Sequence, residues 1–583
     1  MPIAAVILLL LATISGKEVT RTMNTAYVRF SSVDGTIDVN RQSSVCHRCT
    51  YYPFFKSVGQ NATEYLPIDM EFTQNFEIRR ENGSIEYYSA KFDEYGAYTV
   101  TVGDPTVPFN VTTDIPGHNY YVPLYFMILL VFTIFGLVVF VENLRSYRKA
   151  KQNADQPLVE EEKKSSRVVS IDVFRGIALC CMIFANYHAG AYQKALVHAV
   201  WDGITFSDFA FPLFIFIQGI SLRLSIDSSF RKNLEAGNSP FKATLKCTLK
   251  CLKRAIVLYI LTWLVNCSKN FATLRILGVL AYFSVSGLVN SLILLYTPVY
   301  HFKLGFLSRW NARVNYKNDP LVHAPFDPIL PFLCAFTHWL VAMFVAAPGC
   351  PRGYTGPGGI SDFGRYEGCT GGIYRYIDVK VFGEEHIYHG SAVTYVYHGN
   401  NFECEGLMGL LNAIFLVYLG TLVTPVIQKV KKPMNRVWTY AVTGLLLLFI
   451  GGLLCGFKQY DGYMPINKNK WNTTFICITG GTGFVVFALV YLLVDVWKVW
   501  SGYPVKAMGM NSILIYIVHE FVHGYMPFTY EFETVSHWTE MTNSLVLGVG
   551  MWVFIANVFY RRNLFFKESV ELSYPLDESS DSE

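Results

Sequence analysis

The chain has 583 residues, of which 52% are hydrophobic and only 16% are charged, and its formal net charge is +4. This composition excludes an ordinary soluble domain and favours a protein that crosses a membrane several times. The basic residues are scattered through the loops and form no basic domain, so we expect no nucleic acid partner.

The chain begins with an apolar run, MPIAAVILLLLATISG, that ends in small residues. Such a run, roughly a dozen apolar residues long, is short for a membrane span and typical of a secretory signal peptide. We therefore predict a signal peptide over 1–16 and expect the segment after it to be lumenal.

The segment 17–121 is predicted to be a small β-rich lumenal domain. Stretches such as AYVRF, IEYYSAKF and AYTVTV alternate with the period of half-buried strands, and the pair Asn82 and Gly83 is a hairpin signal. N-glycosylation motifs at Asn61, Asn82 and Asn110 agree with a translocated surface.

From residue 122 onward we predict about eleven membrane spans, each long enough for a helix of roughly 20 residues. They cover 122–141, 171–188, 204–224, 253–268, 277–299, 326–347, 406–427, 437–457, 474–496, 505–525 and 542–560. The fold class is thus an α-helical polytopic membrane protein with a β-rich N-terminal domain.

Basic residues are concentrated in alternate loops, and the positive-inside rule therefore gives an orientation. It makes 142–170 a cytosolic linker, 171–560 a ten-helix core and 561–583 an acidic cytosolic tail. The loop 348–405 and a fourth glycosylation motif, at Asn472, become lumenal.

The cysteines assigned to the lumen are candidates for disulfide bonds. Cys46 and Cys49 form a CHRC motif without the second CxxC of a zinc site, and an oxidising compartment favours a disulfide over a metal ion. The other candidates are Cys267, Cys350, Cys369 and Cys404, and no metal site is predicted.

Ionisable residues occur inside or beside two apolar segments. Asp172, Arg175 and Asp208 cost a few kcal/mol each in a membrane environment, which indicates a function. A simple ion pair between Asp172 and Arg175, three residues apart on a helix, is the alternative for those two. His198 lies in the short loop between the segments.

Several long motifs resemble the heparan-alpha-glucosaminide N-acetyltransferase family: the DVFRG and WDGIT region, PGCPRGYTGPGGISDFGRYEGCTGG, PINKNKW and GMNSILIYIVHE. The family consists of lysosomal membrane enzymes that acetylate the terminal glucosamine of heparan sulfate. The resemblance implies acetyl-CoA as co-substrate and a lysosomal membrane location. It also implies a homodimer, with Cys267 as a candidate intersubunit bond.

By the same resemblance His198, in VHAVWDGIT, matches the active-site histidine, and Asn186 matches the asparagine of the preceding NY motif. Imidazole has the pKa suited to accept a proton from a glucosamine amine. His198 could equally carry the acetyl group itself, and the sequence leaves both routes open. Asn186 is expected to donate to the thioester carbonyl as negative charge develops there.

Further site residues are predicted with alternatives. Asp208, His519 and Glu520 are candidates for binding the acceptor, although Asp208 could instead orient His198 or hold helices together. Candidates for binding acetyl-CoA are Arg175, Asn511 and Ser512. Arg175 would contact the phosphates, whereas polar groups such as Asn511 and Ser512 often only join membrane helices.

Two other functions remain open from the sequence. The segments YHAGAYQKALV and RILGVLAY differ from the family's usual runs, which favours an acetyl-CoA-dependent transferase with another acceptor. A transporter or inactive relative would explain the buried charges as a pathway lining, although no convincing internal repeat supports it.

Overall fold

The computed structural model describes residues 22–61, 63–103, 109–153, 168–266, 270–303 and 327–565. The chain divides into two compact units. One comprises Met1–Val45, Tyr51–Tyr125 and Phe532–Thr539, and the other comprises Cys46–Thr50, Phe126–Glu531 and Glu540–Glu583. The predicted signal peptide, 1–16, lies outside the described residues, as do parts of the predicted linker and tail.

The first unit contains two four-stranded β-sheets, which confirms the β-rich N-terminal domain. One sheet has the order β4-β1-β7-β8, with β1 and β7 parallel, and the other has the antiparallel order β3-β2-β5-β6. The strands are β1 (Thr25–Ser32), β2 (Ile37–Ser43), β3 (Tyr52–Val58), β4 (Leu66–Asp69), β5 (Gln74–Arg80), β6 (Ile85–Ala90), β7 (Ala97–Val102) and β8 (Phe109–Ile115).

Alternation of side chains along these strands builds the core of the sandwich. Phe30 of β1 and Phe76 of β5 are fully buried, and their rings meet edge to face at 5.1 Å between the two sheets. The predicted hairpin is confirmed: β5 pairs with β6 across a turn in which Gly83 has φ +81°, a conformation that glycine adopts without strain.

The rest of the described chain is mainly helical, and each of the eleven predicted spans contains a helix. The helices are α1 (Val122–Asn153), α2 (Val169–Asn186), α3 (Ala210–Glu235), α4 (Pro240–Val265), α5 (Val279–Lys303), α6 (Ile329–Phe344), α7 (Ile373–Phe382), α8 (Ala392–Val396), α9 (Leu407–Thr421), α10 (Val423–Lys429), α11 (Pro433–Cys455), α12 (Thr473–Tyr491), α13 (Val505–Met510), α14 (Ser512–Val522), α15 (His537–Met541) and α16 (Met551–Arg561). A π-helical stretch, Thr542–Gly550, joins α15 to α16.

Within the described residues, eight helical segments are long and apolar enough to cross a membrane. Two of the other predicted spans are shorter apolar helices, Ile329–Phe344 and Ser512–Val522. The remaining one, α4, is longer than predicted because it begins at Pro240, where the Ser239 hydroxyl accepts from the Lys242 amide. Its first half carries several lysines, so the loop expected between the predicted spans, 225–252, is largely helical.

The helical bundle is held together by close contacts between helix backbones. A Cβ added to Gly219 of α3 would lie 2.0 Å from the carbonyl oxygen of Val417 on α9. A Cβ added to Gly420 of α9 would lie 2.0 Å from the carbonyl oxygen of Phe216. Only glycine at these two positions allows α3 and α9 to approach this closely.

Four of the candidate cysteines form two disulfides, Cys46 with Cys49 and Cys350 with Cys369. The expected disulfide of Cys404 is not formed: this thiol has no disulfide partner among the described residues, and burial raises its pKa to about 12. Cys267 lies outside the described residues.

The glycosylation motifs differ in exposure. Asn61, Asn82 and Asn110 are exposed, as the prediction requires. Asn472, by contrast, is 3% exposed and caps α12. Its Nδ2, the atom that would carry the glycan, donates to the carbonyl of Pro465 at 2.6 Å, and its Oδ1 accepts from the amide of Phe475.

Replacing Gly219 with alanine tests the contact between α3 and α9. We expect Gly219→Ala to destabilise the protein by about 1–3 kcal/mol or more, because the added methyl group must push two helix backbones apart. The measurement is the thermal unfolding midpoint in detergent. Gly136→Ala in α1 is the matched control, since nothing lies within 4 Å of its added Cβ. Equal midpoints for the two variants would contradict this packing.

Candidate active site

His198 and Asp208 form a hydrogen-bonded pair. The Nδ1 of His198 lies 2.8 Å from Oδ1 of Asp208, whose carboxylate is completely buried. The other carboxylate oxygen accepts from the Thr205 amide at 2.9 Å, the Thr205 hydroxyl at 3.0 Å and the Ala199 amide at 3.3 Å. Every oxygen of Asp208 is thus used inside the protein, so the residue orients His198 and is not available to grip an acceptor amine.

The side chain of His198 is accessible, and its pKa is shifted from the ordinary value. Its side chain is 44% exposed but closely surrounded by protein atoms, as expected for the wall of a recess. Desolvation lowers the pKa of the imidazole below its ordinary value, and the positive charge of Lys468 lowers it further, against the opposing effects of Asp208 and Glu405. Burial and Lys468 thus both favour the neutral imidazole, which is the form that can accept a proton.

A second wall of this recess is the connection 465–471, whose sequence is PINKNKW. It is fastened to the loop that follows His198: Asn469 donates to the Val200 carbonyl at 2.9 Å, and the Gly203 amide donates to the Ile466 carbonyl at 2.8 Å. Lys470 is buried and donates to the Thr355 carbonyl at 2.8 Å. These bonds hold Lys468 within electrostatic range of His198.

A buried ion cluster lies beside the same recess. Arg275, just before α5, pairs with both Glu403 and Glu405, which precede α9. Burial favours the neutral acid of Glu405, but Arg275 and Lys468 together hold the pKa of this carboxyl below its ordinary value. Glu405 in turn interacts electrostatically with His198.

Asn186, His519 and Glu520 come together, although they are more than 300 residues apart in sequence. The Nδ2 of Asn186 lies 2.6 Å from Oε1 of Glu520 and 3.0 Å from Nε2 of His519. His519 Nδ1 lies 2.5 Å from the Tyr516 carbonyl, which makes Nδ1 the donor and Nε2 the acceptor.

This arrangement bears on the predicted donor role of Asn186. Both hydrogens of its Nδ2 are engaged, so the amide has no N–H left for a thioester carbonyl, and only Oδ1 remains for a ligand. His519 likewise uses both ring nitrogens and is fully buried, and its Nε2 accepts from the Asn186 amide. The side chain of Glu520 is 27% exposed and remains accessible.

The two groups of side chains border one region of the helical unit. Glu405 acts electrostatically on His198 and also on Tyr516. The Tyr516 ring packs against His519, with ring centroids 5.4 Å apart. His198 with Asp208, and Asn186 with His519 and Glu520, thus form two hydrogen-bonded groups that are linked through the electrostatic effects of Glu405.

The expected acetyl-CoA contacts lie elsewhere. Arg175 is 11 residues before Asn186 on α2, which is about 16 Å along the helix axis. Its guanidinium contacts Asp172 at 3.4 Å, the Gly509 carbonyl at 3.3 Å and the Ser221 hydroxyl at 2.6 Å.

These contacts join α2 to neighbouring segments, and the alternative ion pair between Asp172 and Arg175 is present. Asn511, two residues after Gly509, donates to the Leu564 carbonyl, and Ser512 is the first residue of α14.

The sequence reasoning missed four charged residues of the recess. Arg275, Glu403 and Glu405 stand directly before apolar runs, and charges at such positions are a usable signal for a polar site at the end of a bundle. Lys468 lies in a motif that drew attention only through resemblance. Among the described residues, no cluster of histidine, cysteine and acidic side chains suits a metal ion.

Comparison with known proteins gives a consistent answer. A family model described as the catalytic region of heparan-alpha-glucosaminide N-acetyltransferase matches residues 167–337. The mouse (Mus musculus) protein of that name is 27% identical over 584 aligned residues, covering 91% of this chain and 86% of its own length. The human (Homo sapiens) protein is 32% identical over 411 residues, covering 69% of this chain and 60% of its own length.

The chain is similar over most of its length to the heparan-alpha-glucosaminide N-acetyltransferases. The resemblance stated from the motifs is therefore confirmed, and the chain is assigned to a class of membrane-embedded acetyltransferases. The matched region contains Asn186, His198, Asp208 and Arg275, whereas Lys468 lies outside it.

Asp378 of α7 provides a pH test of the buried acidic region next to this acetyltransferase site. The residue is 1% exposed, and its Oδ1 accepts from the Leu407 amide at 2.8 Å. Burial, with a smaller effect of the nearby charge of Glu403, raises its pKa from 3.8 to about 7. The folded state therefore binds a proton that the unfolded state releases between these values.

We expect this proton to stabilise the protein at low pH, with the contribution lost as the pH rises through about 7. Asp378→Asn removes the titration, so its unfolding midpoint should fall less between pH 4.5 and pH 7.5 than that of the parent, with these two pH values chosen to bracket roughly the shifted pKa. The exposed residue Glu385, varied as Glu385→Gln, is the control. Parallel curves for parent and Asp378→Asn would disprove the assignment.

Proposed function

We propose that this protein transfers the acetyl group of acetyl-CoA to the terminal glucosamine amine of heparan sulfate. The observation that supports this most directly is the accessible His198, oriented by the buried Asp208, inside the region that matches the family's catalytic model. The relatives are named for this acceptor and reaction, which gives the substrate class.

The chemistry follows from the hydrogen bond between His198 and Asp208. With Nδ1 donating to Asp208, the Nε2 of His198 is the free base and takes a proton from the acceptor ammonium. The amine nitrogen then attacks the thioester carbonyl carbon, and the electron pair of the C=O bond moves to oxygen. The nitrogen of the adduct still carries two hydrogens, and one of them leaves as a proton to solvent. Reformation of the C=O bond then breaks the C–S bond, and the leaving thiolate receives the proton held by His198.

Asn186 and Glu520 suit the acceptor side of this reaction. The Oδ1 of Asn186 accepts hydrogen bonds, and the carboxylate of Glu520 is partly exposed next to it. Together they offer two acceptors to an amine or to sugar hydroxyls. His519 positions Asn186 by accepting one hydrogen of its amide.

We also propose a lysosomal membrane location with the N-terminal domain lumenal and the C-terminus cytosolic. The two disulfides and the exposed motifs at Asn61, Asn82 and Asn110 support a lumenal, oxidising environment for the segments that carry them. Acetyl-CoA would enter from the opposite face, where Arg175, Asn511 and Ser512 remain candidate contacts. A homodimer belongs to the same proposal.

Acetyl transfer by the purified full chain tests the proposed function. We expect labelled N-acetylglucosamine from acetyl-CoA and glucosamine, and a decrease of about 10²- to 10⁴-fold in His198→Ala, the range for loss of a general base. His389→Ala, at an exposed histidine, is the control and should retain parental activity. A folded parent that binds acetyl-CoA but acetylates no amino sugar would refute the proposed acceptor.

Asp208→Asn tests whether Asp208 positions His198. We expect kcat to fall about 100-fold or more, because the amide no longer holds the reactive tautomer of the imidazole. The charge and hydrogen bond of Asp208 raise the pKa of His198. Their removal should therefore move the acidic limb of the pH–rate profile to lower pH. An acidic limb at the parental pH would mean that Asp208 has only a structural role.

A further inference from the structure

Of the four residues 467–470, Lys468 is the one whose side chain makes no hydrogen bond or ion pair among the described residues. Asn467 donates to Asp202 at 3.1 Å, Asn469 donates to the Val200 carbonyl, and Lys470 donates to Thr355. Among the described residues, the Lys468 ammonium has no hydrogen-bonded or ion-paired partner, and its side chain is half-buried. The other three residues therefore fix the loop, and the Lys468 ammonium remains available to bind a ligand.

The position of Lys468 is set by that loop. The bonds from 466–470 reach the segment 200–203, which directly follows His198 in sequence. The loop also ends where the Asn472 side chain caps α12, so it is anchored to a helix at its far end. A lysine mounted this way loses little further freedom when it binds a ligand.

The electrostatic surroundings leave the positive charge of Lys468 available. It acts on His198, Asp208 and Glu405. Asp208 is already satisfied by His198, Thr205 and Ala199, and Glu405 is paired with Arg275. A half-buried ammonium that acts on carboxylates already bound to other partners stabilises a new negative charge that develops within its range.

We propose that Lys468 donates a hydrogen bond to the thioester carbonyl oxygen as the amine attacks, the role that the sequence suggested for Asn186. The inference rests on the proposed acetyl transfer. Asn186 cannot serve because both hydrogens of its Nδ2 are bound to Glu520 and His519.

Lys468 neither gains nor loses a proton in this step. The ammonium of Lys468 keeps its proton throughout, and it stabilises the oxygen while that oxygen carries the electron pair of the former C=O bond. When the C–S bond breaks and the C=O bond reforms, the charge leaves the oxygen and the hydrogen bond weakens. Lys468 therefore binds the transition state more strongly than either substrate, which raises kcat and leaves KM almost unchanged.

Two variants of Lys468 separate charge from shape. Lys468→Met keeps the length of the side chain but removes the charge, and we expect kcat to fall about 10²- to 10³-fold, as for the loss of an oxyanion donor. Lys468→Arg keeps the charge and should stay within about tenfold of the parent. Lys458→Met, at an exposed lysine between α11 and α12, is the control and should have parental kcat.

Each variant is assayed with glucosamine and with glucosamine 6-sulfate, together with the unfolding midpoint and acetyl-CoA binding. The inference expects the same loss of kcat with both acceptors, unchanged KM and unchanged binding. A parental kcat in Lys468→Met overturns it. A loss confined to KM for the sulfated acceptor also overturns it and makes Lys468 a contact for an anionic substituent.

A structural role gives a third pattern, in which both Lys468 variants lose kcat together with several degrees of the unfolding midpoint; that pattern too overturns the inference. The proposed function fails separately: a folded parent that acetylates no amine refutes it and the inference with it. An active parent whose Lys468→Met variant is equally active refutes only the role of Lys468.

Discussion

The buried carboxylate of Asp208 is the constraint on which the rest of the site depends. A carboxylate without water must be satisfied by donors, and Asp208 is satisfied by four: His198, Ala199, and the amide and hydroxyl of Thr205. These bonds fold the short connection between α2 and α3 around one side chain. They also choose the tautomer of His198, so the same interaction that makes the loop stable makes the histidine a base at Nε2.

Neighbouring charged side chains in this part of the bundle also have partners inside the protein. Arg275 holds Glu403 and Glu405, while Lys470 is bound to Thr355. Pairing removes these groups from the chemistry and makes them the framework of a recess. Lys468, which has no such partner among the described residues, is by contrast a group that can act on a substrate.

Much of the fold could be predicted because its signals are local. Runs of apolar residues identified all eleven helical stretches, and alternation identified the β-rich unit together with the hairpin turn at Gly83. The prediction and the structure differ where contacts with other parts of the chain determine the environment of a local motif. Asn472 has the glycosylation motif but caps α12, and the lysine-rich stretch before residue 253 is helical because Ser239 caps α4.

The sequence by itself determined the membrane class and the family resemblance, and it singled out His198 as a candidate, because composition and contiguous motifs need no knowledge of distance. Only the tertiary structure decided what each site residue does. Asn186 meets Glu520 and Lys468 comes near His198 across separations of hundreds of residues. A hydrogen bond depends on positions within a few tenths of an ångström. That precision comes from helix packing and loop anchoring, which is why Asn186 changed from predicted donor to acceptor once its partners were known.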